Sequence, residues 1–324
     1  MNNSFLTLSH ENQYVGFSRK NMTNKQLTIG RVRLNATDTL ILGTLALFSL
    51  LAMIYCSQVE HWLLLVLKNM IVGIMYVCVN RFSEKAKNKF WKFFIRMAPI
   101  VLAFAYLFGA VDKLQMIVQH QWMDDDVLDF EQYMFGVQPT LWIEDYISKP
   151  LTEWLMFSYV IYIPLYPVLC GIIYYKRGEL AMEDYFFTLG LTNVLCDIGF
   201  ILYPVASPMY HLKELYTVPL QGYFFTFLGE FIRSHLHFAG GSIPSPHAAA
   251  ATIMWIMAYR YHRPSFWILM PIVLSLYIST FYGRYHYVTD AVVGILVATF
   301  ALLIAPILMK FWNKIPEKYF SASK

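Results

Sequence analysis

Gly240-Gly-Ser-Ile-Pro-Ser-Pro-His247 and Gly283-Arg-Tyr-His-Tyr-Val-Thr-Asp290 are two polar signatures separated by two apolar segments, residues 248–259 and 266–282. The first segment starts directly after His247 and the second ends just before Arg284, so an antiparallel pair of membrane helices returns both signatures to one face. Residues distant in sequence are thereby collected into one site.

Working outward, the 324 residues are 57% hydrophobic and only 14% charged, with a mean hydropathy of +0.46. That is the composition of a polytopic membrane protein. Candidate spans fall at about 39–56, 61–79, 93–111, 152–174, 185–204, 244–260, 265–282 and 286–309, which predicts an all-α bundle of about eight transmembrane helices. The net charge of +4 sits on short loops near 81–92, 176–177, 260–263 and 310–324. Basic loops of this kind face the cytoplasm, which puts both termini inside and both signatures at the extracytoplasmic or luminal face. The same scatter argues against a nucleic-acid partner. The expected division is a disordered cytoplasmic tail over 1–38, one integral catalytic domain over 39–310 and a second cytoplasmic tail over 311–324.

Four cysteines, Cys56, Cys78, Cys170 and Cys196, lie in or beside apolar runs without CxxC spacing and read as buried small residues. The acidic triplet Asp124-Asp-Asp126 reads as a solvated loop more readily than as a cation site. Residues 127–146 are expected along the membrane surface, with Tyr133, Phe135, Trp142 and Tyr146 at headgroup depth. Tyrosines and phenylalanines at 157–166 and 223–227 read as packing and interface anchors. Two charges fall inside spans, Lys68 and Asp197, and each needs a partner or water there. Asn193 shares a helix face with Asp197, so the two either bond a neighbouring helix or line an inner polar seam.

The signatures themselves carry chemistry. His286 and Asp290 are four apart, so on a helix starting near Tyr285 the carboxylate accepts the imidazole Nδ1–H and leaves Nε2 free to attack. The fork of Arg284 suits a phosphate. Ser245 is placed to cap a helix with Pro246 at its first position and His247 in its first turn, a start that attracts anions. A nucleophile, an orienting carboxylate, a guanidinium and a second histidine for the leaving oxygen make a phosphoryl-transfer set. A rival is His235-x-His237, which with His247 or Asp290 would bind zinc, but the spacing is loose and no glutamate stands where a general base would.

Pro244-Ser-Pro-His247 together with Arg284-Tyr-His-Tyr-Val-Thr-Asp290 resembles the type-2 phosphatidic acid phosphatase superfamily, and the Arg-Tyr-His-Tyr spelling resembles its inositol phosphorylceramide synthase branch. The resemblance runs over roughly 128–303 and takes in Tyr133-Met-Phe-Gly-Val-Gln-Pro-Thr-Leu-Trp142 and Tyr203-Pro-Val-Ala-Ser-Pro208. It implies a six-helix phosphatase-like core and a metal-independent, cofactor-free enzyme. His286 would become phosphohistidine, with Asp290 as its partner, His247 as acid and Arg284 with Ser245 around the phosphate. The substrate would be a lipid phosphate or phospholipid, and the acceptor water, ceramide or another lipid hydroxyl. Two positions depart from the pattern. Met209 stands where an arginine is usual, with His211 and Lys213 as the nearest basic residues, and Pro246 removes a backbone N–H. A non-enzymatic member that only binds phospholipid is the alternative from a different class.

Overall fold

The structure is a computed structural model that describes residues 27–29, 32–236 and 238–314. Its helices are α1 (Ala36–Ile54), α2 (Trp62–Lys85), α3 (Lys89–Val111), α4 (Asp124–Phe135), α5 (Lys149–Arg177), α6 (Glu179–Leu202), α7 (Phe224–Leu236), α8 (Pro246–Tyr261), α9 (Arg263–Tyr282) and α10 (Val288–Lys314). Among the described residues seven helices are long and apolar enough to cross a membrane: α1, α2, α3, α5, α6, α9 and α10. The chain is therefore an integral, multi-pass helical bundle. The remaining expected span, 244–260, is α8, and at 16 residues it reaches only about 24 Å against a hydrocarbon core of about 30 Å. It has no need to face lipid. α5, α6, α9 and α10 all pack on it, and Ala248, Ala249, Ala250 and Ala251 are fully buried, small side chains that let its neighbours approach closely.

One end of the bundle is fixed by ions. Asp38 receives hydrogen bonds from Tyr76 at 2.6 Å and Arg96 at 2.5 Å. Glu183 receives them from the amide and hydroxyl of Thr37 and from the side chain of Asn35. α1, α2, α3 and α6 are thus tied through buried groups whose charges are paired, as burial demands. Asn35 and Asp38 also form a capping box that starts α1 at Ala36. The boundary expected at 38 consequently falls inside the bundle, and before it Leu27–Ile29 pairs antiparallel with Val32–Leu34. The rest of the expected tails, 1–26 and 315–324, lies outside the described residues.

Two further expectations change. Cys170 and Cys196 are buried, whereas Cys56, in the turn after α1, and Cys78, on α2, are exposed; on α2 an outward helix face is as apolar as an inward one. The acidic triplet is solvated only in part, with Asp125 and Asp126 exposed and Asp124 buried. Asp124 has no exposure and accepts the amides of Ala206 and Ser207 and the hydroxyl of Tyr287, while Asp125 meets His211 and Asp126 meets Tyr203. Farther along α4, buried Glu131 takes the amide and hydroxyl of Thr289 at the start of α10. The triplet begins a surface helix that clasps the connections around the second signature. Burial pushes both the Asp124 and Glu131 carboxyls up from their ordinary values. Tyr133, Phe135, Trp142 and Tyr146 point outward from this cap.

Candidate active site

The turn between α9 and α10 decides the site. Arg284 takes the left-handed conformation at φ 67°, and the amides of Tyr285 and His286 both donate to the carbonyl of Thr280. α10 therefore begins at Val288, and His286 stands ahead of it instead of on its face. That changes the expected pairing. Nδ1 of His286 lies 3.0 Å from the carbonyl oxygen of Ser242 and 3.5 Å from Oδ2 of Asp290. A carbonyl only accepts, so Nδ1 carries the proton and Nε2 carries the lone pair. The carboxylate of Asp290 is itself held by the Ser242 hydroxyl at 2.5 Å and the Tyr287 amide at 2.9 Å. Main chain orients the imidazole, and the fully buried Asp290 supplies negative charge behind it.

The lone pair at Nε2 is engaged as well. Nδ1 of His247 lies 3.1 Å away, so His247 donates to it. Its position follows from α8. Ser245 caps this helix by accepting the Ala248 amide at 3.3 Å, and its own amide donates to the Asp290 carbonyl at 2.9 Å. The two signatures are thus bonded to each other through the backbone. Ser245 is completely buried, so its hydroxyl serves the helix.

Sequence reasoning did not assign several neighbours to the site. Tyr159 stacks on His247 at 4.7 Å between centroids and on Tyr285 at 4.3 Å, and Tyr162 lies 5.4 Å from His247. These tyrosines were expected only as packing; periodicity identifies the inward face of α5 but not what stands opposite it. Ser242 lay within the quoted signature, yet nothing in its spacing showed that both its carbonyl and hydroxyl would serve the histidine–aspartate pair.

The cations also move from their expected places. Arg284 is paired with Glu144 at 2.6 Å, bonded to the Val218 carbonyl and laid over the Tyr216 ring at 3.9 Å. Burial lowers its proton affinity and Glu144 opposes that loss. His211, one of the two basic residues nearest Met209 in sequence, pairs with Asp125. The basic side chain found against Met209 is Arg233 on α7, whose Nη1 is 3.6 Å from the Met209 sulfur and whose fork also holds Glu230. Of the rival zinc pair, His235 bonds the Phe231 carbonyl within its own helix, and His237 lies outside the described residues. No group of three metal-ligating side chains occurs among the described residues.

Arg233, His247 and Tyr285 line one part of a cavity of about 520 Å³ whose other walls come from α3, α5 and α6 and from Leu40 and Ile41 of α1. Its walls are chiefly apolar. A pair of imidazoles, one buried and one half-buried, with a guanidinium and an apolar cavity beside them suits a phosphorus centre carried on a lipid. In comparison with known proteins, the model of the PAP2 superfamily matches residues 126–304. No curated protein and no solved structure matches the chain.

Proposed function

The chain belongs to the PAP2 superfamily, whose members are phosphatases and phosphotransferases, and from that premise we propose that it moves the phosphoryl or phospho-headgroup unit of a lipid through a phosphohistidine at His286. The carrying observation is the contact of His286 Nε2 with His247 Nδ1 at 3.1 Å, with the opposite nitrogen of His286 on the Ser242 carbonyl and Asp290. Nε2 attacks phosphorus as the bond to the leaving oxygen breaks, and that oxygen takes a proton from His247, which enters the step as the imidazolium and leaves it neutral. The phosphohistidine retains its Nδ1–H, bonded to the Ser242 carbonyl, and Asp290 balances its positive charge. Water or a lipid hydroxyl then passes its proton to His247 and attacks phosphorus, returning His286 to its neutral form. Reacting atoms stand about 3–3.5 Å apart, with the acid a further hydrogen bond beyond the leaving oxygen. The two imidazoles must therefore part when substrate enters between them.

Arg233, in the cavity lining, supplies charge for the phosphoryl oxygens, joined by Arg284 if an incoming phosphate draws it from Glu144. Nucleophile, acid and charge are then all provided by side chains, and turnover is expected to survive chelation. The Arg-Tyr-His-Tyr signature favours the inositol phosphorylceramide synthase branch, and a chiefly apolar cavity beside His247 favours an acceptor with a lipid chain, such as ceramide, over water. The basic loops gather at the end of the bundle away from the histidines, which supports an extracytoplasmic or luminal site.

The test is purified protein in detergent with phosphorus-labelled lipid phosphates and phospholipids, with and without ceramide, beside His286→Ala. Turnover and an acid-labile, base-stable phosphoprotein are expected, both absent from the variant. Released phosphate identifies water as acceptor and a new labelled lipid identifies a hydroxyl. Wild-type turnover in His286→Ala would overturn the mechanism. Lipid binding without turnover on any substrate would leave the non-enzymatic reading in its place.

A further inference from the structure

Asp197 is a buried acid with no work to do inside the protein. Its side chain lines the cavity and keeps only 3% exposure, and no hydrogen bond or ion pair reaches it from the described residues. An unpaired polar group costs free energy in such surroundings, and within a membrane bundle this position invites a ligand.

The helix shows where that ligand's polar group would lie. Gly190, Asn193, Val194 and Asp197 line the cavity along one stripe of α6, spaced so that they share a face. Two residues beyond Asp197, Gly199 is packed against Pro244 of the first signature. Asp197 is therefore the rung nearest the histidines, about 3 Å along the helix axis from that contact. Asn193 lies one turn deeper. Beyond Asn193 the lining is apolar, with Phe104, Leu107, Leu40 and Ile41. A molecule seated with its reacting oxygen at His247 would pass this polar rung, and on the α5 side the mutually bonded hydroxyls of Tyr162 and Tyr166, before meeting that apolar lining.

We infer that Asp197 and Asn193 form a recognition site for a hydrogen-bond donor, a hydroxyl or an amide N–H, carried on an otherwise apolar lipid within a few bonds of its reacting oxygen. The carboxyl group accepts from that donor and the Asn193 amide adds an acceptor or a donor beside it. A lipid lacking the second donor leaves the rung unpaired and is rejected, since specificity of this kind rests on the cost of an unmet buried polar group. The inference rests on the histidine end being where the lipid's oxygen reacts, but its readout is binding, so the two fail separately.

The experiment measures displacement of a fluorescent fatty alcohol from the purified full-length protein by hexadecan-1-ol, hexadecane-1,2-diol and hexadecane-1,3-diol. These probes share a chain and differ by one hydroxyl. At least one diol is expected to bind roughly tenfold tighter than the alcohol, the discrimination one hydrogen bond to a buried acid provides. Asp197→Leu should abolish that preference and raise the melting temperature of the lipid-free protein, because it removes an unpaired polar group. Asn193→Leu should reduce the preference. His286→Ala should leave it intact, so a protein that shows the preference without turnover would refute the reaction and keep the site. Equal binding of alcohol and diols by the wild type, an unchanged preference in Asp197→Leu, or a lower melting temperature in that variant would each overturn the inference.

Discussion

Replacing Gly294 with alanine tests how tightly the two signatures must be held. A Cβ at 294 on α10 would stand 2.4 Å from the carbonyl oxygen of Ser245 and 3.2 Å from its nitrogen. Ordinary contact begins at 3.4 Å, and the obstacle is backbone at the capped start of α8, which cannot swing aside as a flexible side chain would. The start of α8, carrying His247, must therefore retreat by about 1 Å from α10. Overpacking of this kind costs about 1–3 kcal/mol of stability, and a misplacement of about 1 Å at a reacting pair costs about 10²-fold in rate. The Ser245 amide bond to the Asp290 carbonyl would lengthen with it. The assay is steady-state turnover on the lipid substrate, beside thermal unfolding in the same detergent. Gly43→Ala is the control, because its Cβ would meet nothing within 4 Å and helix propensity favours alanine there by about 1 kcal/mol. A Gly294→Ala enzyme with kcat within twofold of wild type and an unchanged melting temperature would refute the argument that this contact sets the spacing of the histidines.

Ser242→Ala leaves the carbonyl on His286 in place but removes the hydroxyl from buried Asp290, whose Oδ1 already has no partner; a bond to such a carboxylate is worth about 1.5–3 kcal/mol, so kcat/KM should fall about ten- to a hundredfold. Arg233→Gln and Arg284→Gln should separate. The first should raise KM for the phosphate-bearing lipid with little change in melting temperature; the second strands half-buried Glu144 and should lower the melting temperature first. The reverse pattern would exchange the roles given to the two arginines. Glu131→Gln should flatten the pH dependence of stability. Burial raises the folded pKa of Glu131 above its ordinary value of 4.5, so the unfolded chain releases its proton first, and the associated stability is present below that value and lost as pH rises through the folded pKa. Melting temperatures measured from pH 4 to 8 should show a smaller decline in the variant, which can still accept both bonds from Thr289.

By itself the sequence determined the class of the molecule, most of its spans and the chemistry to look for. Long apolar runs in a chain with few charges have few ways to satisfy their backbone other than membrane helices. Two histidines beside a proline-rich and an arginine-bearing signature, returned to one end by an antiparallel pair, are specific enough to announce phosphoryl transfer. Ser245 as a cap and the shared face of Asn193 and Asp197 were also legible, since both are local properties of a helix. What only the tertiary structure decided were the partners. The turn at Arg284 displaced His286 from the helix face, so a carbonyl at residue 242 took the place closest to its Nδ1. Arg284 turned to Glu144, and a guanidinium from α7 came to Met209, although residues 209 and 233 are far apart in the chain. Asp124, which looks solvated in a run of acids, became buried because the loop at 206–207 and Tyr287 offered it donors. Spacing along a chain fixes which side chains share a face of one element; charge pairing and burial depend on what the fold sets opposite that face, and no local pattern encodes it.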